Sequence, residues 1–92
     1  RFLPIDNDNV IGFVKESVNG ENAVACAISL HGGPQEFWLH FGDQQIGAPD
    51  EKRPVRTIEN LVTGERRMLE WGGTRLRIDP SADPALFFRC TA

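Results

Sequence analysis

Short runs of alternating apolar and polar residues, each ended by a turn, fill the second half of this chain. Turn residues recur at Thr63-Gly64, at Gly72-Gly73 and across residues 80–84. Apolar residues do not keep the three-and-four spacing of an amphipathic helix. Period-two runs separated by Gly and Pro are typical of all-β proteins. The pattern therefore predicts an all-β fold, an antiparallel β-sandwich of about seven or eight strands.

The first half begins with a lead-in, residues 1–9, followed by a hairpin. Asn19-Gly20 separates two apolar runs, residues 10–17 and 22–30. Asn-Gly favours a two-residue hairpin loop because both positions require positive φ. Such a loop places Phe13 opposite Cys26, and Ile11 opposite Ile28.

Both faces of this hairpin are apolar, one with larger side chains and the other with small ones. One face must line the core, so the other is expected to contact a further protein surface. We assign that docking role to the small-residue face, at Val10, Val14, Ala25 and Ala27. The lead-in is expected to shield part of it. The alternative is a fully internal hairpin covered by the loop 42–54.

The later strands are predicted at residues 35–41, 55–61, 66–71, 74–79 and 85–90. An isolated helical turn is compatible with residues 42–50. A two-residue turn at Gly72-Gly73 would place Trp71 opposite Thr74, at a hairpin end that closes the core. The same register places Glu70 opposite Arg75, and Arg66 opposite Asp79, which gives two cross-strand charge pairs.

Length and charge limit the classes of function. Ninety-two residues with a net charge of −3 indicate one domain without the basic excess of a nucleic-acid-binding protein. No run is long and apolar enough for a membrane span, and no signal peptide is visible. We therefore expect a cytoplasmic location and no membrane partner. The chain begins at Arg1 rather than Met, so we interpret residues 1–92 as a single domain excised from a longer enzyme; the alternative is an independent protein after tag removal.

Catalytic and metal sites are not indicated. Glycoside chemistry needs two carboxyl groups held together in a cleft, whereas the acids here lie in predicted turns or opposite arginines. The Asp6-Asn7-Asp8 segment resembles the start of a calcium loop, but Val10 and Ile11 occupy positions that need an oxygen ligand and a Gly. His31 and His40 lack a third ligand at suitable spacing. We expect no catalytic residue, no metal and no cofactor.

Two aromatic residues are the candidates for carbohydrate binding. Trp38 should point away from the apolar face formed by Phe37 and Leu39, and Trp71 lies at a predicted hairpin end. Indole rings can stack on sugars and donate a hydrogen bond. The alternatives are packing against a neighbouring domain for Trp38 and closure of the core for Trp71.

The cysteines and arginines are expected to be structural. Cys26 and Cys90 lie in predicted strands without metal-ligand spacing, which favours buried thiols over a disulfide or a reactive thiol. Six arginines between residues 53 and 77 are interleaved with acids, which favours a solvated, ion-paired face over a phosphate site. They are Arg53, Arg56, Arg66, Arg67, Arg75 and Arg77.

Several segments, taken in order, resemble a known family. The Asp6-Asn7-Asp8 run leads into an apolar strand that ends at Lys15, residues 23–30 form a second strand, and Thr63-Gly64-Glu65 precedes a terminal strand after Pro84. This order is similar to the C-terminal β-sandwich of α-amylase superfamily enzymes (glycoside hydrolase family 13). The glucan:maltose-1-phosphate maltosyltransferases are the most similar in appearance.

The resemblance implies an accessory domain that packs on the catalytic barrel of the same polypeptide and stabilises it. In that family the catalytic acids lie on the barrel, so the domain alone is expected not to be an enzyme. Two alternatives remain open. One is an α-glucan-binding module that uses exposed aromatic residues, and the other is an independent immunoglobulin-like interaction domain.

Overall fold

A six-stranded antiparallel sheet and two small two-stranded sheets share one apolar core. The structure is a computed structural model that describes residues 2–19, 22–42 and 44–92. The strands are β1 Phe2–Leu3, β2 Val10–Glu16, β3 Ala23–Ser29, β4 Gln35–His40, β5 Gln45–Ile46, β6 Arg53–Pro54, β7 Thr57–Asn60, β8 Arg66–Met68, β9 Gly73–Ile78 and β10 Ala85–Thr91. Seven of these strands contain three or more residues, and no helix occurs in the described ranges. The predicted all-β sandwich is confirmed.

The larger sheet has six strands in the order β1-β2-β3-β10-β7-β8. In its central hairpin, Phe13 pairs with Cys26 and Ile11 pairs with Ile28. This register is the one predicted from Asn19-Gly20, although Gly20 lies outside the described residues. Strand β10 then adds to the free side of β3, so the hairpin lies in the interior of the sheet.

The second sheet consists of β4 and β9 and provides the large side chains of the core. Phe37 and Leu39 on β4 and Ile78 on β9 are completely buried. Strands β5 and β6 form a short hairpin inside the predicted loop 42–54. The helical turn considered for residues 42–50 does not occur in their described part.

The small-residue face of the β2–β3 hairpin lines this core. Val10, Val14, Ala25 and Ala27 are each at most 5% exposed and belong to the same apolar cluster as the β4 side chains. Gly12 lies between them, and a Cβ there would come within 3.1 Å of the Leu39 side chain. The small side chains therefore make room for the large residues of the opposite sheet.

This burial corrects the docking prediction for Val10, Val14, Ala25 and Ala27. These four side chains face the domain's own core and present no free surface. Alternation in the sequence separates the two faces of the hairpin, but it does not say which face meets the second sheet when both are apolar.

The predicted pairing around Gly72-Gly73 is wrong in two respects. The turn forms one residue earlier than predicted, and β8 and β9 do not pair with each other. The tight turn is centred on Trp71-Gly72, and Glu70 bridges to Gly73. Strand β8 pairs with β7, while β9 pairs with β4 in the other sheet. The chain therefore crosses between sheets after β8, a change that a period-two pattern cannot reveal.

The predicted charge pairs are corrected accordingly. Arg66 lies opposite Glu59, with 3.9 Å between Nε and Oε2, and not opposite Asp79. Glu70 lies opposite Gly73 rather than Arg75.

Candidate interaction surfaces

The outer face of the six-stranded sheet carries a row of apolar residues across four strands. Phe2 pairs with Phe13, Phe13 with Cys26, and Cys26 with Phe87, so the four lie side by side. Ile11 and Ile28 pair in a second row on the same face. We call these residues the apolar band: Phe2, Ile11, Phe13, Cys26, Ile28 and Phe87.

Much of the apolar band is accessible to solvent. Phe2 is 75% exposed, Phe87 44%, and Ile11 and Ile28 36% each. The opposite face of the same hairpin is the one that packs against the second sheet, where Ala25 and Ala27 join Phe37 and Leu39 in one apolar cluster. Contiguous exposed apolar surface of this kind marks protein–protein contact sites.

A row of three charged residues and Val24 borders the apolar band on the same sheet. Lys15 pairs with Val24, Val24 with Arg89, and Arg89 with Glu59. An apolar centre beside a charged border is the usual composition of a protein interface. The face has the character of a contact surface rather than of an ordinary solvated sheet.

The two thiols lie on opposite faces of this sheet. Cys26 belongs to the apolar band, between Phe13 and Phe87, while Cys90 belongs to the core cluster. Both are buried free cysteines, as predicted. Burial raises the pKa of the Cys26 thiol, and it raises the pKa of Cys90 to about 12. Thiols of this kind are poor nucleophiles.

Trp38 is half-buried on the outer face of the small sheet, away from Phe37 and Leu39 as predicted. Its indole N–H donates to His40 Nδ1 at 3.1 Å, and its ring lies so close to the Gly73 backbone that a Cβ there would clash. Arg75 lies directly opposite on β9. The indole is therefore fixed in position while part of it stays accessible.

Trp71 is 93% exposed, so the prediction that it closes the core is wrong. It occupies the first central position of the turn with φ of 57°, followed by Gly72 with φ of 76°. Two successive positive φ values define a type I′ turn, in which Asn, Asp and Gly are preferred. A Trp–Gly pair is not a recognised signal for this turn, which is why sequence reasoning placed the turn one residue later.

Two open cavities lie beside these tryptophans. One of about 350 Å³ is lined by Trp38, Arg67, Met68, Glu70, Gly73, Thr74 and Arg75. The other, of about 280 Å³, is lined by Pro54, Val55, Arg56, Met68, Leu69, Trp71 and Gly72. Met68 lines both, so the cavities are adjacent. Sequence reasoning missed Glu70 and Arg75 as parts of a site because it paired them with each other.

Asp6, Asn7 and Asp79 make hydrogen bonds that hold turns and the lead-in in place. Asp6 accepts a hydrogen bond from the Trp38 backbone N–H at 2.8 Å, which attaches the lead-in to β4. Asn7 accepts from the Asn9 backbone N–H in the turn that begins β2. Asp79 accepts from the Ser81 hydroxyl, and this bond holds the pKa of Asp79 below its usual value. Asn7 thus has the turn role expected for this segment, whereas Asp6 makes a contact with a distant strand instead.

The histidines likewise make local contacts. His31 Nδ1 accepts from the Gly33 backbone N–H at 3.0 Å, and His40 accepts from Trp38. Within the described ranges, no three His, Cys, Asp or Glu side chains are grouped so that they could hold a metal ion. Two of the arginines form ion pairs with interleaved acids, Arg66 with Glu59 and Arg67 with Glu65. No helix of the described residues is long and apolar enough to cross a membrane.

Comparison with known proteins gives one informative similarity. No protein-family model matches the chain. The chain is 31% identical over 96 residues to the alpha-1,4-glucan:maltose-1-phosphate maltosyltransferase of Rhodospirillum rubrum. The match covers 99% of this chain but only 13% of that protein. The chain thus resembles a small part of a much longer enzyme.

Proposed function

We propose that this chain is a non-catalytic accessory domain of an α-glucan-active enzyme of the α-amylase superfamily, and that it packs on the catalytic barrel of the same polypeptide. The observation that carries this proposal is the apolar band. A domain that worked alone would gain nothing from leaving the apolar side chains of four strands accessible to water. A domain with a permanent neighbour would bury them.

The similarity to the maltosyltransferase supports this choice of partner. The match includes nearly every residue of this chain, whereas most of the relative has no counterpart here. In such an enzyme, the rest of the polypeptide is therefore the nearest surface on which the apolar band could pack. Burial of apolar area stabilises a contact by about 25 cal/mol per Å², so the apolar band provides a driving force for docking.

The placement of the acids supports a non-catalytic role. Glu65, Glu59 and Glu16 form ion pairs, Asp6 attaches the lead-in to β4, and Asp79 holds a turn. A glycoside-cleaving pair needs two carboxyl groups about 5–10 Å apart across a substrate cleft. Among the described residues, Glu70 provides the one carboxylate that lines the large cavity near Trp38.

The reading frame that encodes the chain provides the first test. We expect a (β/α)-barrel segment upstream of residue 1. That segment and this chain, prepared separately and mixed, should associate, and the chain should raise the melting temperature of the barrel. A frame without a barrel, or a barrel whose melting temperature does not respond, would instead favour an independent interaction domain.

A further inference from the structure

The backbone of Trp71 is strained, and packing of its side chain does not compensate for the strain. Left-handed φ is unfavourable for a bulky residue, and an indole that is 93% exposed gains almost no packing in return. Strain of this kind concentrates at ligand-binding positions. The side chain is available at the tip of a tight turn, where a ligand could cover it.

Trp38 provides a second, fixed indole beside the adjoining cavity. Its N–H is already bonded to His40, and the Gly73 backbone supports its ring. The accessible part of the ring is therefore apolar and does not need to reorganise when a ligand binds. Preorganised side chains lose little conformational entropy on binding.

The same cavity presents hydrogen-bonding groups that are not used within the described chain. The Glu70 carboxylate and the Arg75 guanidinium have no ion-pair or hydrogen-bond partner among the described residues. Arg67 is fixed by Nη1, which donates to the Arg75 carbonyl at 2.7 Å, and by Nε, which donates to Glu65. Carboxylate and guanidinium groups form strong hydrogen bonds to hydroxyls.

The charges around the cavity nearly cancel. The lining contributes one negative charge from Glu70 and one positive charge from Arg75, and the positive charge of Arg67 is offset by its ion pair with Glu65. An anionic ligand would find no strong excess of positive charge, whereas a neutral polyol could use both donors and acceptors. An apolar ring with a few convergent polar groups is the usual composition of a small-molecule site.

We propose that the two adjacent cavities form a saccharide-binding groove, with Trp38 and Trp71 as stacking platforms and Glu70 and Arg75 as hydroxyl partners. The choice of an α-1,4-linked glucan over other saccharides rests on the proposed function. The groove uses the small sheet and the Trp71 turn, so it does not overlap the apolar band.

The test is a titration of the 92-residue chain with maltohexaose, followed through the indole N–H signals in ¹⁵N-correlated NMR spectra. Both indole signals should shift with one dissociation constant. Trp71→Asn should weaken binding about tenfold, equivalent to about 1.4 kcal/mol, and should raise the urea midpoint because Asn suits the turn. Arg75→Gln should also weaken binding, whereas Phe87→Ala on the apolar band is the matched control and should leave it unchanged.

Three results would overturn the proposal: no indole shift with maltohexaose, equal losses in Trp71→Asn and Phe87→Ala, or binding by Trp71→Asn as tight as that of the unchanged chain. Equal affinity for cellohexaose would overturn the assignment to α-glucan. Saccharide binding without association to the barrel would remove the docking proposal alone. Docking without saccharide binding would overturn the proposed saccharide groove and leave the docking proposal intact.

Discussion

Cys90 shows how burial changes the chemistry of a single side chain. Its thiol lies in the core between the sheets, and desolvation there disfavours the charged thiolate. The nearby Glu16 carboxylate adds to the same effect. The result is a pKa of about 12 against an ordinary value of 9.0.

This difference predicts a loss of stability at alkaline pH. Between pH 9 and 12 the unfolded chain releases the thiol proton while the folded chain keeps it, so stability falls as pH rises. Below pH 9 the thiol is protonated in both states, so the protonated Cys90 makes its full contribution to stability there. In urea unfolding above pH 9, the free energy of unfolding should therefore fall less steeply with pH for Cys90→Ala than for the unchanged chain. The difference should be up to about 1.4 kcal/mol per pH unit. Its pH dependence between 6 and 8 should match that of the unchanged chain, and equal slopes above pH 9 would contradict the burial argument.

At the scale of strands, the β2–β3 hairpin illustrates what the sequence reveals and what it does not. The pairing of Phe13 with Cys26 follows from the Asn-Gly loop and from alternation. Which face is internal does not follow, because both faces are apolar. The decision depends on the Phe37 and Leu39 side chains of the opposite sheet, which need the space that alanine and glycine leave.

The Trp71 turn illustrates a second limit. Gly72-Gly73 is a reasonable turn signal, yet the turn forms one residue earlier, with Trp71 at positive φ. Local propensity would place a flexible residue there. The pairing of β9 with β4 fixes Gly73 within a strand under the Trp38 ring, and this tertiary contact overrides the local preference. The groove could not be predicted because it depends on that register.

Two neighbouring positions on β3 test the assignment of faces. Ala27 is completely buried, while Ile28 is 36% exposed on the apolar band. Ala27→Lys would bury an unpaired charge and should destabilise the chain by several kcal/mol. Ile28→Lys should leave the 92-residue chain folded, because the ammonium group can reach water. Urea unfolding followed by circular dichroism measures the stability of both variants. If Ile28→Lys were the less stable of the two, the small-residue face would have to be exposed.

At the scale of the whole molecule, the two faces of the large sheet have different environments. The inner face meets β4 and β9 and completes a core, and the outer face carries the apolar band. We therefore expect changes at the exposed residues of the outer face to leave the chain folded and to weaken the proposed association. Substitutions on the apolar band should lower the stability of the complete polypeptide and leave the stability of the 92-residue chain nearly unchanged.

The most direct measurement compares Phe87→Lys with Val18→Lys, in the 92-residue chain and in the complete encoded polypeptide. Val18 is fully exposed at the end of the β2–β3 hairpin, outside the apolar band, and provides a matched addition of charge. In the chain alone, both variants should unfold at nearly the same temperature as the unchanged protein. In the complete polypeptide, Phe87→Lys should lower the melting temperature, because a lysine replaces a buried aromatic contact worth about 1.5–3 kcal/mol. Val18→Lys should not. Equal melting temperatures for the two variants in the complete polypeptide would contradict docking through the apolar band.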